Sequence, residues 1–378
     1  VLVWEVLFWL CVALLVYAQV GYPLVLAGLA RVTRARAAPA PASTQLPSVS
    51  LIIAAYDEGA VIARKVANAL ELDYPRDRLE VVVASDGSAD GTVMEARRAG
   101  ADQVLALERG GKIRAQDAAV AASHGEIVAF SDANSTWEPD ALSTLVAAFE
   151  DPAVGYACGQ VRFVQSDGAG TNQEGLYWRY EMALRALESR LGSITAGNGA
   201  IYATRRASYI EVDPIMGHDL SFPFNMVKRG WRAVYVPQAR ATEKMVPSIE
   251  GEFARKRRMM SHTWPIVLRG GLLSPRGYPP LYALMIASHR VLRYGAPFLH
   301  LGALVASAVL FTTSPVYGVA FALQIGLILA ALLAGVVPLA PLLVARYYVL
   351  TTASVAAGLW DWLRHGTPAG WEPAEGTR

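Results

Sequence analysis

Leu79-Glu80-Val81-Val82-Val83-Ala84-Ser85-Asp86-Gly87-Ser88-Ala89-Asp90 is the stretch that decides the fold class. A run of β-branched residues passes through a small-residue turn into a helical pattern from Asp90, as expected of a buried strand feeding a covering helix. The same unit recurs on both sides of it: Val49-Ser50-Leu51-Ile52-Ile53-Ala54 with a helix from Glu58, Gln103-Val104-Leu105-Ala106 with a helix from Lys112, and Glu126-Ile127-Val128-Ala129-Phe130 with a helix from Pro139. This alternation predicts an α/β fold, a Rossmann-like, mostly parallel sheet with helices on both faces. Ligands of such sheets bind beyond the carboxyl ends of the strands. The residues there are acids, Asp57 and Glu58 after the first run, Asp86 after the second and Asp132 after the fourth, which suits a nucleotide with a cation.

Farther along, Val154–Val164 reads as strand, 174–191 as helix, 200–204 as strand and 220–236 as a helix followed by a strand. Segment 250–268 is basic on one side and carries Met259, Met260, Trp264, Ile266 and Leu268. That composition suits the headgroup layer and equally an ordinary amphipathic surface helix. Apolar stretches 296–311 and 316–337 flank a turn at Thr312-Thr313-Ser314-Pro315, and a third, 337–362, contains Arg346. A charge near mid-bilayer is costly, so that third stretch either spans with Arg346 paired or snorkelling, or is re-entrant. At the other end, residues 1–29 hold one charge, Glu5, and are long enough to cross a bilayer. A signal peptide would carry its basic residues before a shorter core, whereas Arg31, Arg34 and Arg36 follow this one. Their excess marks the cytosolic side and puts the N-terminus outside.

Hydrophobic residues make up 53% of the 378-residue chain, more than a soluble fold carries, so part of it belongs in lipid. The net charge is only +2, and the basic residues, five lysines among 34 Lys plus Arg, are dispersed, which argues against nucleic acid. Cys11 and Cys158 lie too far apart for a metal-ligand spacing and read as buried thiols. The expected organisation is a transmembrane helix (1–30), a linker (31–47) rich in Ala and Pro, a cytosolic α/β domain (48–245), amphipathic interface helices (246–290), a transmembrane region (291–363) and a tail (364–378).

Four motifs occur in order: Ala54-Ala55-Tyr56-Asp57-Glu58, Ser85-Asp86-Gly87-Ser88-Ala89-Asp90-Gly91-Thr92, Gly110-Gly111-Lys112 and Ser131-Asp132-Ala133-Asn134. Together they resemble the second family of glycosyltransferases, with the GT-A fold shared by cellulose, chitin and hyaluronan synthases, over residues 48–261. The resemblance implies an inverting, membrane-embedded glycosyltransferase that uses a nucleotide-diphosphate sugar, with uridine preferred, and Mg2+ or Mn2+. By that resemblance Ala55, Asp57 and Asp86 hold the nucleoside. Lys112, at a helix start behind two glycines, serves the donor phosphates, with a solvated lysine as the alternative.

Asp132 and Asn134 stand on the family's Asp-x-Asp metal motif, with one carboxylate replaced by an amide, and Asn134 reads equally as a turn cap. Gly217-His218-Asp219-Leu220 resembles the family's Glu-Asp dipeptide and puts Asp219 on the catalytic base, which accepts the proton of the attacking sugar hydroxyl. The plain alternative is an N-cap for a helix from Leu220. Asn198, in Ala196-Gly197-Asn198-Gly199-Ala200, falls on the acceptor-side loop, which also reads as a tight turn.

Arg255-Lys256-Arg257-Arg258-Met259 occupies the Gln-x-x-Arg-Trp position of processive synthases, where only Arg258 matches; it would bind the leaving pyrophosphate. Membrane-surface electrostatics accounts for Lys256 and Arg257. Trp371-Glu372 and Gly376-Thr377-Arg378 resemble the gating segment of hyaluronan and chitin synthases at a different spacing, so an untethered tail is the default expectation.

The expected partners are a nucleotide sugar, a growing glycan or a lipid-linked acceptor, and membrane lipid, at the plasma membrane in a multi-pass arrangement. Three or four spans are few to enclose a sugar channel, so either protomers associate as a homo-oligomer or the product is not translocated. A non-catalytic sugar-nucleotide-binding subunit is the reading of another class, which the retained Asp86, Asp132 and Asp219 argue against. A nicotinamide dehydrogenase lacks its glycine fingerprint after the first strand.

Overall fold

The computed structural model describes residues 1–33, 46–164, 172–244 and 248–370, with only the backbone of 172–177. Eight strands, β1 (Val49–Ala55), β2 (Leu79–Asp86), β3 (Gln103–Leu107), β4 (Ile127–Asp132), β5 (Thr136–Trp137), β6 (Val154–Val164), β7 (Ile201–Arg205) and β8 (Arg232–Lys244), form one sheet in the order β3-β2-β1-β4-β7-β6-β8-β5. The half containing β3, β2, β1 and β4 is parallel, while β7 runs antiparallel to both β4 and β6. Alternate residues of β1, β2 and β4 enter two separate cores. Leu51, Ile53, Val81, Val83 and Ala129 pack on one face, and Ile52, Val82, Val128 and Phe130 on the other. A strand buried on both faces has no polar side to show, which is why these stretches read as unbroken apolar runs.

The expected sheet is therefore present, with longer connections at its rim. Helices expected from Glu58, Asp90 and Pro139 begin at Ile62, Thr92 and Ala141. The intervening residues are held by one another: the Asp90 carboxylate accepts the N–H groups of Gly59 at 2.8 Å and Thr92 at 2.9 Å, and Glu58 N–H donates to Thr92 Oγ1 at 2.9 Å. The last strand continues eight residues past Val236 to Lys244. Pro237, which cannot donate to a ladder, sits where the register slips between Cys158↔Tyr235 and Gln160↔Arg240, a bulge that lets the strand continue beyond it.

Three described helices are long and apolar enough to cross a membrane: Leu2–Val32, Pro315–Leu333 and Ala340–His365. The span expected at 296–311 falls on Leu292–Val309, which is not one of the three and which carries Arg293 and His300. It packs against the Leu2–Val16 segment, with Phe8 meeting Ala306 and Leu310, and Gly302 so close that a Cβ there would lie 2.9 Å from Cys11 Sγ. Of the two alternatives for Arg346, the structure takes pairing. Its guanidinium donates to Glu250 Oε1 at 2.7 and 3.0 Å and to the Ala331 carbonyl at 3.1 Å, on an unbroken helix. The same helix lies along Ile249–Leu268, joined by Lys256 to Tyr347 at 3.1 Å, by two 2.6 Å bonds from Arg257 to Asp361, and by Trp264 Nε1 to the Val355 carbonyl at 2.9 Å. The Ala-Pro linker, with Arg34 and Arg36, and the end of the tail from Trp371 lie outside the described residues.

Candidate active site

At the carboxyl ends of the parallel strands the expected donor residues are brought together, though several have work within the chain. Ala55 is fully buried at the end of β1. Asp57, the one described non-glycine residue with positive φ, at 50°, donates its N–H to Ser88 Oγ at 3.0 Å and accepts the Ala89 N–H on Oδ1 at 2.8 Å. It thereby clamps the β1 turn to the β2 turn. Asp86, read from the sequence as a ligand of uracil or ribose, is 1% exposed and accepts from Gly110 N–H at 2.7 Å, from Gly111 N–H at 3.0 Å on both oxygens, and from Arg109 at 3.2 Å. Those bonds occupy the lone-pair sites of a carboxylate. Asp86 thus shapes the Gly110-Gly111 turn, and the Arg109 guanidinium lies 3.1 Å from the centre of the Tyr56 ring.

That turn delivers Lys112, the first residue of the Lys112–Ala122 helix, to Asp132 at the end of β4, and the two form a close ion pair. Burial opposes the charge on Lys112, but Asp132, then Asp219 and Glu243, outweigh it and raise its pKa. Gly199 closes this corner: a Cβ on it would stand 3.4 Å from Lys112 Nζ and 3.7 Å from an Asp132 oxygen. Asp132 therefore holds the lysine of the loop that Asp86 fixes.

Asp219 is not the N-cap of its helix. The helix spans His218–Lys228, so Asp219 lies inside its first turn, with Gly217 at the cap. The Gly197 N–H donates to the Asp219 carbonyl at 2.7 Å, tying the acceptor-side loop to this turn. The charge of Asp219 also reaches His262 on Ile249–Leu268 and Tyr294 on Leu292–Val309. His218 is buried, its Nδ1 2.8 Å from Tyr202 Oη and its ring stacked on Phe222, and burial followed by Lys112 holds its pKa well below the usual imidazole value.

Asn198 is committed to its loop: Nδ2 donates to the Gly159 carbonyl at 2.8 Å, and Oδ1 accepts from Ala200 at 3.1 Å and Ile201 at 2.9 Å. The tight-turn reading of this residue is the one the geometry displays. Arg258 is exposed on Ile249–Leu268, and its charge acts on His262, the residue that also feels Asp219. Asn134 sits in the turn directly after β4.

Two residues of this site escaped the sequence reading. Lys65, on Ile62–Leu70, is 3% exposed, with its ammonium 5.2 Å from the centre of the Trp137 ring and without a hydrogen-bond partner among the described residues. Burial brings its pKa down to about 7 against the pull of Asp132 and Glu243. Glu243, near the end of β8, is pushed up to about 7 by burial and then by Asp132. Of the expected tail, residues 367–370 are held: Thr367 donates to the Ser261 carbonyl at 2.7 Å, and the Ala369 carbonyl stands 2.2 Å from where a Gly111 Cβ would be, on the donor loop. The stretch from Trp371, expected to be untethered, lies outside the described residues.

The family model described as glycosyltransferase-like family 2 matches residues 47–261, more than half of the chain. The chain belongs to this family. Among curated family 2 relatives, an N-acetylglucosaminyltransferase of Rhizobium sp. (strain N33) is 29% identical over 243 residues, 57% of this chain and 54% of that one. A beta-monoglucosyldiacylglycerol synthase of Synechocystis sp. is 33% identical over 166 residues, 41% of this chain and 33% of that one. The chain spans about half the length or less of the curated relatives it matches. A solved mannosyltransferase from Pyrobaculum calidifontis, in complex with GDP-Man and Mn2+, superposes with a TM-score of 0.71 at 26% identity, covering 95% of this chain and 99% of that one. That likeness extends beyond the GT-A domain of this family 2 chain into its flanking helices.

Proposed function

We propose that this chain is a membrane-embedded inverting glycosyltransferase that moves a sugar from a nucleotide-diphosphate donor to a growing glycan, with its catalytic domain on the cytosolic side. One observation carries the reading: the loop 196–200 joins the donor corner to the base, since Gly199 stands beside the Lys112–Asp132 ion pair and the Gly197 N–H donates to the Asp219 carbonyl at 2.7 Å. A carboxylate so placed can take the proton of an acceptor hydroxyl arriving along the membrane while that oxygen attacks the anomeric carbon from the face opposite the diphosphate. Lys112, at the start of its helix, meets the phosphates, and Arg258 meets the leaving diphosphate from the interface helix.

Asp132, with Asn134, would hold a divalent cation, Mg2+ or Mn2+. The residues fit one in that Asp132 already carries a cationic group, the Lys112 ammonium. The Mn2+ bound by the mannosyltransferase from Pyrobaculum calidifontis agrees with this. The cation's chemistry is to offset the charge of the diphosphate as it departs.

A second reading, transfer of one sugar to a polyprenyl-phosphate or other lipid acceptor, is favoured by the likeness to the beta-monoglucosyldiacylglycerol synthase. Detergent-solubilised protein supplied with uridine and guanosine diphosphate sugars and Mg2+ or Mn2+, with glycan and lipid acceptors, separates the two by product size. Polymer supports the first reading and a monoglycosylated lipid the second. Release of nucleotide from no donor in the panel overturns both.

A further inference from the structure

Beside the Asp132-Ala133-Asn134 turn, three buried polar atoms have no hydrogen-bond partner among the described residues: Ser135 Oγ, Lys65 Nζ and Glu243 Oε1. The fold explains how they come together. The turn runs directly into β5, which pairs antiparallel with β8 through Thr136↔Thr242 and Trp137↔Ala241. One further step along that register sets Glu243 opposite Ser135, next to Asn134. Asn68 bonds both the N–H and the carbonyl of Trp137 at 2.9 Å, and so fixes the Ile62–Leu70 helix with Lys65 over the Trp137 ring.

An unpartnered polar atom in a folded interior is costly, and such groups gather where a ligand completes them. The turn they adjoin indicates which ligand: Asp132, at the end of β4, and Asn134 stand on the metal motif, and the Lys112 ammonium seated on Asp132 shows that this corner takes a cation. The chain also lacks the second carboxylate of the metal motif, since Asn134 supplies only an amide oxygen.

We propose that Glu243 supplies that carboxylate from β8: together with Asp132 it binds the divalent cation, and the unpartnered oxygen is the ligating one. The proposal rests on the transferase reading above and adds a cation ligand drawn from the opposite end of the sheet. Ser135, with a buried unpartnered hydroxyl, lies where it can accept or donate to the cation's water.

The test is equilibrium binding of Mn2+ to the full chain in detergent, read from the free-Mn2+ paramagnetic resonance signal with UDP or GDP present. Glu243→Gln should weaken Mn2+ binding about tenfold or more, and Asn134→Asp added to that variant should restore it. Equal Mn2+ affinity of Glu243→Gln and wild type overturns the proposal. A wild-type chain that binds nucleotide without taking up Mn2+ overturns it while leaving the transferase reading intact, and one that binds neither overturns both. Should Glu243→Gln fail to fold, Fe2+-directed scission of the wild-type chain needs no variant: cuts near residues 132 and 243 are expected, and cuts confined to 132 overturn the proposal.

Discussion

Glu188 and Glu243 are both buried carboxylates, and the chain treats them in opposite ways. Glu188, on the Asn172–Leu191 helix, accepts from Tyr22 Oη at 2.7 Å, from the Thr195 N–H at 3.0 Å and its hydroxyl at 3.0 and 3.2 Å, and stands 2.6 Å from His289 Nδ1. Burial works against its charge, but His289, Arg290 and Tyr22 prevail and bring its pKa to about 2. Glu243 has an oxygen without a partner and a pKa raised to about 7. The Glu188 node is satisfied and joins three segments distant in the chain, the apolar helix Leu2–Val32, the loop at Thr195 and the helix before Leu292. The sheet rim is left unsatisfied and so has capacity for a ligand. The node therefore has a structural role, and the rim is where the proposed function puts binding and catalysis.

Substitutions at the two regions should separate activity from stability. The largest effect is expected at the rim: Asp219→Asn keeps size and shape and removes the base, so transfer should fall about 10²- to 10⁴-fold. Nucleotide affinity and thermal midpoint should stay unchanged, and a fully active variant would break the mechanism. Next comes the node, where Glu188→Gln should lower stability by about 3 kcal/mol at neutral pH, the cost of breaking a buried ion pair, and leave nucleotide affinity unaltered.

The sign follows from the depressed pKa of Glu188. Its contribution is full above the unfolded value of 4.5 and is lost as pH falls through about 2, so unfolding midpoints of variant and wild type should converge toward acid. A constant gap down to pH 2 would mean that packing, not charge, accounts for the loss. The smallest effect is expected where tail and rim meet. Gly111, at φ 97°, has the Ala369 carbonyl where a side chain would begin, so Gly111→Ala should cost about 1–2 kcal/mol and expose residues 367–370 to protease. An unchanged digestion pattern would count against the docked tail.

Much of the donor half was legible because parallel strands buried on both faces leave unbroken apolar runs, and their ends carry the acids. Asp57, Asp86, Lys112 and Asp132 were located in this way. Their tasks were less legible, since a sequence shows that Asp86 follows a strand but not that four hydrogen bonds already engage it. Glu243 left no local sign at all. Pro237 ended the readable strand at Val236, and only the bulge, which carries β8 on to pair with β5, brings this residue beside the turn that follows Asp132. Lys65 looked like any lysine on an amphipathic helix, because its burial depends on Trp137 from another element.

The order of strands and helices, the apolar spans and the identity of the acids at the strand ends were determined by sequence alone, because periodicity and hydrophobic burial act over a few neighbouring residues. Which carboxylate stays partnered and which is left open was decided only by tertiary structure. Hydrogen bonding and desolvation depend on groups brought from distant parts of the chain, as when Tyr22 and His289 close on Glu188 while Glu243, carried past the β8 bulge, keeps a buried oxygen without a partner.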